Sequence, residues 1–127
     1  MERNHALHCR CPAQPPQPVS SGTRHFYQAV TGAEREHDSD DAVALAAVPP
    51  GGINLCFQRV ADHRPPRWPD PSAPQQFHLD LYADDPAAAL ARMIELGATV
   101  APHQPGDGRW TVLLDPAGHP FCLAAAP

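Results

Sequence analysis

Two residues on one predicted strand carry the first chemistry in this chain. Gln76–Ala83 (QFHLDLYA) alternates, with Phe77, Leu79 and Leu81 facing one way and His78, Asp80 and Tyr82 the other. Residues two apart on a strand share a face, so Asp80 can reach the His78 ring. A carboxylate there orients the imidazole and favours its charged form, the arrangement of a general base. The plainer alternative is a half-buried histidine hydrogen-bonded to a strand neighbour such as Asp80 or Gln58.

Other chemistry-bearing residues read more plainly. His5-x-x-His8-Cys9-x-Cys11 has the composition of a metal tract, but no second pair follows at a structural metal spacing, and a frayed terminus is the favoured reading. Asp38-Ser39-Asp40-Asp41 lacks the glycine and closing glutamate of a calcium loop and reads as a solvated turn. Gly51-Gly52 reads as a hairpin turn, because no Lys-Ser/Thr pair follows it to cradle a phosphate. Cys122, between Phe121 and Leu123 on a predicted strand, reads as an inert thiol, and no Ser–His–Asp or Cys–His nucleophile pattern stands out. Trp110 alternates with Val112 and Leu114, which favours core over a stacking wall. Trp68 either lids a cavity or seals the junction between two modules, the seal being preferred, and Phe26 and Tyr27 read as core.

The elements that position these residues are clearest in the second half. Asp84-Asp85-Pro86 caps and opens a helix over about Asp85–Leu96; Ala87, Leu90, Ala91 and Ile94 recur at helical spacing, and Gly97 stops it. Strands are expected at Thr99–Gln104, Arg109–Leu114 and Phe121–Ala125, turned by Gly106-Asp107-Gly108 and Asp115-Pro116-Ala117-Gly118. That half reads β-α-β-β-β. The first half repeats the pattern less cleanly: strand Ala6–Cys11, helix Thr23–Thr31 stopped by Gly32, a strand near Ala33–His37, then Ala42–Val48 and Ile53–Val60. Between them Ala61–Pro74 carries five prolines and is expected to be stiff and extended.

Bulk properties narrow the class. The 127 residues suit one domain, or two small modules, able to bury a core unaided. Net charge is -5 from 9 basic and 14 acidic residues, and the basic ones are scattered, so no nucleic-acid partner is expected. No apolar run approaches a membrane span and no signal peptide is evident, so the four cysteines are expected to be reduced and the protein cytoplasmic.

Taken together, INLCFQRV, the proline-rich linker, QFHLDLYADD, the helix ending ELGA and RWTVLLDPAGHPFCL resemble the glyoxalase-like domains of the vicinal oxygen chelate superfamily. HFYQAVTG resembles the FY…LG helix of that family's first module, and DPAGHPFCL its DP-x-G-x-x-x-x-L ending. The resemblance runs from about Phe26 to Leu123, and the composition resembles that of proteins from high-GC bacteria.

The resemblance implies an α+β fold in which two βαβββ modules, about 6–60 and 75–126, form a curled mixed sheet around a ligand cup. Residues 1–22 would be a poorly matched N-terminal segment, 61–74 the linker, and 23–127 the glyoxalase-like domain. Metal-dependent members hold a divalent ion with His, Gln or Glu from the first and last strands of the modules. Carried over, His78 matches a ligand position, and Cys122 stands where such enzymes carry Glu. His8 is the nearest first-module candidate, and Cys56 or Gln58 falls where a second Glu is expected.

This set is incomplete for a hard ion, which wants oxygen ligands. A Zn²⁺ site from His8, His78 and Cys122 is the one ion reading left open, so no cofactor is named as certain. The implied function is metal-independent small-molecule binding, with His78, Asp80, Gln58, Trp110 and Cys122 as the ligand-binding candidates. The alternative is a metal-dependent lyase, isomerase or dioxygenase. A third is a degenerate member kept only for interaction. Pairing of modules between chains makes a homodimer conceivable.

Overall fold

The computed structural model describes residues 6–12, 22–46, 54–75 and 78–127, with residues 6–12 and Val60 described by their backbone. The chain divides into two compact units, Met1–Arg64 and Pro65–Pro127. In the first, β1 (Ala6–Pro12), α1 (Thr23–Thr31), β2 (Arg35–Asp38), β3 (Ala42–Leu45) and β4 (Asn54–Val60) follow in order. In the second the order is β5 (Leu79–Ala83), α2 (Pro86–Glu95), β6 (Thr99–Val100), β7 (Trp110–Leu114) and β8 (Pro120–Ala125). Each unit is therefore βαβββ, as the sequence pattern implies.

The two sheets share one topology. Their orders are β1-β4-β3-β2 and β5-β8-β7-β6. In each, the first strand lies parallel to the last and the remaining pairs are antiparallel. Helices α1 and α2 carry the chain from one edge strand of each sheet to the other, from β1 to β2 and from β5 to β6. Both sheets are mixed and open at their edges.

In the first unit, Phe26, Tyr27, Val43, Leu45 and Phe57 are buried. Tyr27 stacks on Phe57 with ring centroids 5.6 Å apart. Helix α1 ends where Gly32 turns left-handed at φ 70° and donates its N–H to Gln28. The Gly51-Gly52 turn lies outside the described residues, as do His5 and the start of the QFHLDLYA segment, Gln76 and Phe77.

In the second unit α2 has the ends its sequence announces. Asp85 caps it by accepting from the Ala88 N–H at 3.0 Å, Pro86 opens it, and Gly97 at φ 106° ends it. The core beneath includes Met93, Leu113, Phe121 and Leu123.

Two segments depart from the sequence reading. Strand β6 stops at Val100, short of Gln104. Pro102 cannot donate to a ladder, and the Gln104 amide takes over: Nε2 donates to the Ala101 and Val112 carbonyls and Oε1 accepts from the Val112 N–H. The linker is not extended. Arg67 N–H donates to the Ala73 carbonyl, and Asp70 and Ala73 close tight turns inside that bridge, so residues 67–73 form a compact loop. Backbone hydrogen bonding overrides the extended preference of the prolines. Among the described residues no helix is long and apolar enough to cross a membrane.

Candidate functional site in the second unit

Strand alternation splits the β5-β8-β7 surface into two faces. Phe121 and Leu123 turn to the buried face, and Cys122 and Ala124 turn to the other. On that second face lies a hollow of about 390 Å³. Asp80 and Tyr82 enter it from β5, with His78 just before that strand, Trp110 and Val112 from β7, and Cys122 and Ala124 from β8. The folded linker adds Trp68, Gln75 enters from just after it, and Pro105 closes one side.

The register of β8 decides where Cys122 falls, and the turn before it fixes that register. The Asp115 carboxylate is fully buried and accepts from the backbone N–H groups of Ala117 and His119, both at 2.9 Å, and from the His119 ring. Gly118 completes the turn at φ 87° and donates to the Asp115 carbonyl. A side chain at Gly118 would also collide with Pro65, since an added Cβ falls 2.6 Å from the proline's Cβ. The DPAG motif is thus a structural device for the site.

Trp68 and Trp110 supply the flat walls. Trp68 packs against His103 with centroids 5.1 Å apart, and the Arg109 guanidinium sits 4.7 Å from the Trp110 ring centre. Only glycine at 106 lets the turn lie against Trp110, because an added Cβ would fall 2.7 Å from its carbonyl oxygen and 2.9 Å from its ring.

The polar floor is a linked cluster. His78 Nδ1 lies 3.0 Å from Gln75 Oε1, and His78 Nε2 lies 3.0 Å from Cys122 Sγ and 3.3 Å from Asp80 Oδ1. Both ring nitrogens of His78 thus lie within hydrogen-bond distance of a partner, and Nε2 is shared between the thiol and the carboxylate. Burial first, then the Asp80 carboxylate, push the Cys122 thiol above its ordinary range. At rest the sulfur is therefore a protonated donor.

The sequence candidates are partly gathered. His78, Asp80, Trp110 and Cys122 line one hollow, while Gln58 belongs to the first unit, exposed on β4 with Ala42 as register partner. The backbone of His8 lies on β1 beside Cys56, and its side chain is outside what is described. Sequence reasoning missed Gln75 and Tyr82 as site residues. Tyr82 shares the alternation of His78 and Asp80 and was available from it; Gln75 precedes the strand and leaves no periodic signal. Trp68, set at a module junction from sequence, lines the hollow.

A family model for the glyoxalase-like domain matches residues 18–124. The chain belongs to the glyoxalase-like domain family. Solved structures agree with that fold. FosX, the fosfomycin resistance protein of Listeria monocytogenes, solved with Mn(II) and 1S,2S-dihydroxypropylphosphonic acid, is 17% identical with TM-score 0.67, covering 99% of this chain and 90% of that one. A glyoxalase/bleomycin resistance protein/dioxygenase family enzyme from Burkholderia phytofirmans PsJN is 18% identical with TM-score 0.61, covering 96% and 97%. The antibiotic-binding protein TnmS3 from Streptomyces sp. CB03234 is 23% identical with TM-score 0.50, covering 100% and 99%. No match was found among curated proteins.

This glyoxalase-like domain has a candidate donor group for an ion. His78, Asp80 and Cys122 offer atoms all within 4.8 Å of one another. The set does not fit a hard divalent ion, because only Asp80 supplies oxygen. A tetrahedral Zn²⁺, with bonds of ~2.3 Å to sulfur and ~2.0 Å to nitrogen, would hold those two atoms about 3.5 Å apart. Here they stand at 3.0 Å, closer than such a bond pair would set them.

Proposed function

We propose that this protein binds a small aromatic compound, without a metal, in the hollow of its second unit. One observation carries the reading: three aromatic side chains, Trp68, Tyr82 and Trp110, surround a floor of His78, Asp80 and Cys122 in a space of about 390 Å³. That volume falls at the lower end of the ~300–1,000 Å³ range of small-molecule pockets, and an apolar wall with a few convergent polar groups is their usual make-up. Each aromatic pair formed with a ligand adds about 0.5–1.5 kcal/mol beyond burial. The Asp80 carboxylate disfavours an anionic ligand. The likeness in fold to an antibiotic-binding protein is in keeping with this reading. The free thiols Cys56 and Cys122 suit a reducing, cytoplasmic setting.

The test is a titration with 2-naphthol in the presence of a chelator, read by tryptophan fluorescence. Saturable quenching supports the reading, and a flat response defeats it.

A second reading, a metal-dependent lyase, isomerase or dioxygenase, draws on the compact His78–Asp80–Cys122 donor group. Metal analysis of the purified protein separates the two. A stoichiometric, tightly held ion that disappears in His78→Ala favours the enzyme and overturns metal-free binding.

A further inference from the structure

The linked cluster at the floor of the hollow has a use that simple binding does not require. Cys122 Sγ is 3.0 Å from His78 Nε2, and the far ring nitrogen is held by Gln75 Oε1 at 3.0 Å. A thiol, a base and a group orienting the base thus stand in line, the arrangement of an activated nucleophile. Sulfur and imidazole both line the hollow, so a bound molecule can meet them. The geometry points to Cys122 as a nucleophile that captures aromatic α,β-unsaturated carbonyl compounds, with His78 as its general base. This rests on the hollow being the ligand site.

The step balances without a co-reactant. Cys122 Sγ forms a bond to the β-carbon of the conjugated system, and the C=C π pair moves toward the carbonyl oxygen. The S–H proton passes to His78 Nε2, then to the α-carbon, leaving a saturated thioether and a neutral ring. Asp80 Oδ1, 3.3 Å from Nε2, stabilises the ring while it carries that proton. The flat walls select an aryl substituent, and Asp80 disfavours anionic electrophiles.

The other described free thiol provides an internal control. Cys56 also has a raised pKa, from burial and then Glu36, and lies on β4 in the other unit. The reduced full chain is incubated with benzylideneacetone at neutral pH, and adducts at each cysteine are quantified by peptide mass mapping. The saturated ketone 4-phenylbutan-2-one is titrated separately by tryptophan fluorescence.

The expected result is saturable adduct formation at Cys122, about tenfold or more faster than at Cys56. In His78→Ala the Cys122 rate falls about 100-fold, the usual scale of general-base assistance, while the Cys56 rate stays unchanged and the near-ultraviolet circular dichroism of Trp68 and Trp110 reports an intact second unit. Equal rates at the two cysteines, or an unchanged rate in His78→Ala, overturn the capture role. If the saturated ketone still binds saturably in that case, the hollow remains a ligand site. If it does not bind either, both readings fall.

Discussion

Asp80 and Cys122 are register partners across the parallel ladder of β5 and β8. Partners in a ladder share a face, so this pairing brings the carboxylate, the thiol and the neighbouring His78 to one side of the sheet. The residues lie more than forty positions apart in sequence, and His78 and Cys122 meet with |i−j| of 44. The site is therefore a product of strand register, and changes that disturb register or turn geometry should disturb it from a distance.

The Asp115 turn is the first such place. Its buried carboxylate holds two backbone N–H groups and the His119 ring at the start of β8. Asp115→Ala leaves those donors without their acceptor and should cost about 3 kcal/mol, seen as a fall in Tm of ~10 °C. Asp115→Asn keeps one acceptor oxygen and should fall between the two. Thermal unfolding followed by circular dichroism checks both, and an unchanged Tm in the alanine variant would remove the turn from the account.

Gly106 tests the wall of the hollow. A methyl group there meets the Trp110 carbonyl oxygen and ring at under 3 Å, at 2.7 and 2.9 Å. Gly106→Ala should force the turn or the indole to move, costing about 1–3 kcal/mol, the usual range for overpacking. The Trp110 fluorescence maximum should shift with it. Stability and emission both equal to those of the parent protein would show that the close approach is not required.

Acid should loosen the Trp68 loop. The Asp70 carboxyl is held below its ordinary value of 3.8 by hydrogen bonds from Ser72, with a smaller contribution from Arg67. The Ser72 N–H donates to Asp70 Oδ1 at 2.8 Å. A carboxyl depressed in the folded loop contributes order above pH 3.8, and that order is lost as pH falls through its lower folded value. In Trp110→Phe, where Trp68 is the remaining tryptophan, emission should show a step below about pH 4. In Asp70→Asn the acid transition should be absent.

Some of this was readable from sequence, for local reasons. Helix α2 is bounded by residues whose roles are set within a few positions: Asp85 caps, Pro86 starts and Gly97 ends it. That His78, Asp80 and Tyr82 share one side follows from the strict alternation of QFHLDLYA. The rest depends on distant pairings. Nothing near Cys122 announces that its sulfur meets a histidine, and its strand neighbours Phe121 and Leu123 suggest an inert core thiol. Gln104 ends β6 early because a side-chain amide replaces a backbone rung, which no periodicity reveals. The linker prolines suggest extension, yet the Arg67–Ala73 hydrogen bond folds the loop and brings Trp68 to the hollow.

The claim that the second unit's hollow takes an aromatic ligand without a metal is tested most directly by NMR of the two tryptophan indole N–H signals. Both tryptophans line the hollow, so each is a reporter. With chelator present, addition of 2-naphthol should move both signals saturably and to the same half-point, and Cys122→Ser should leave the movement in place. Signals that stay still, or that move only after a divalent metal is added, would contradict the claim.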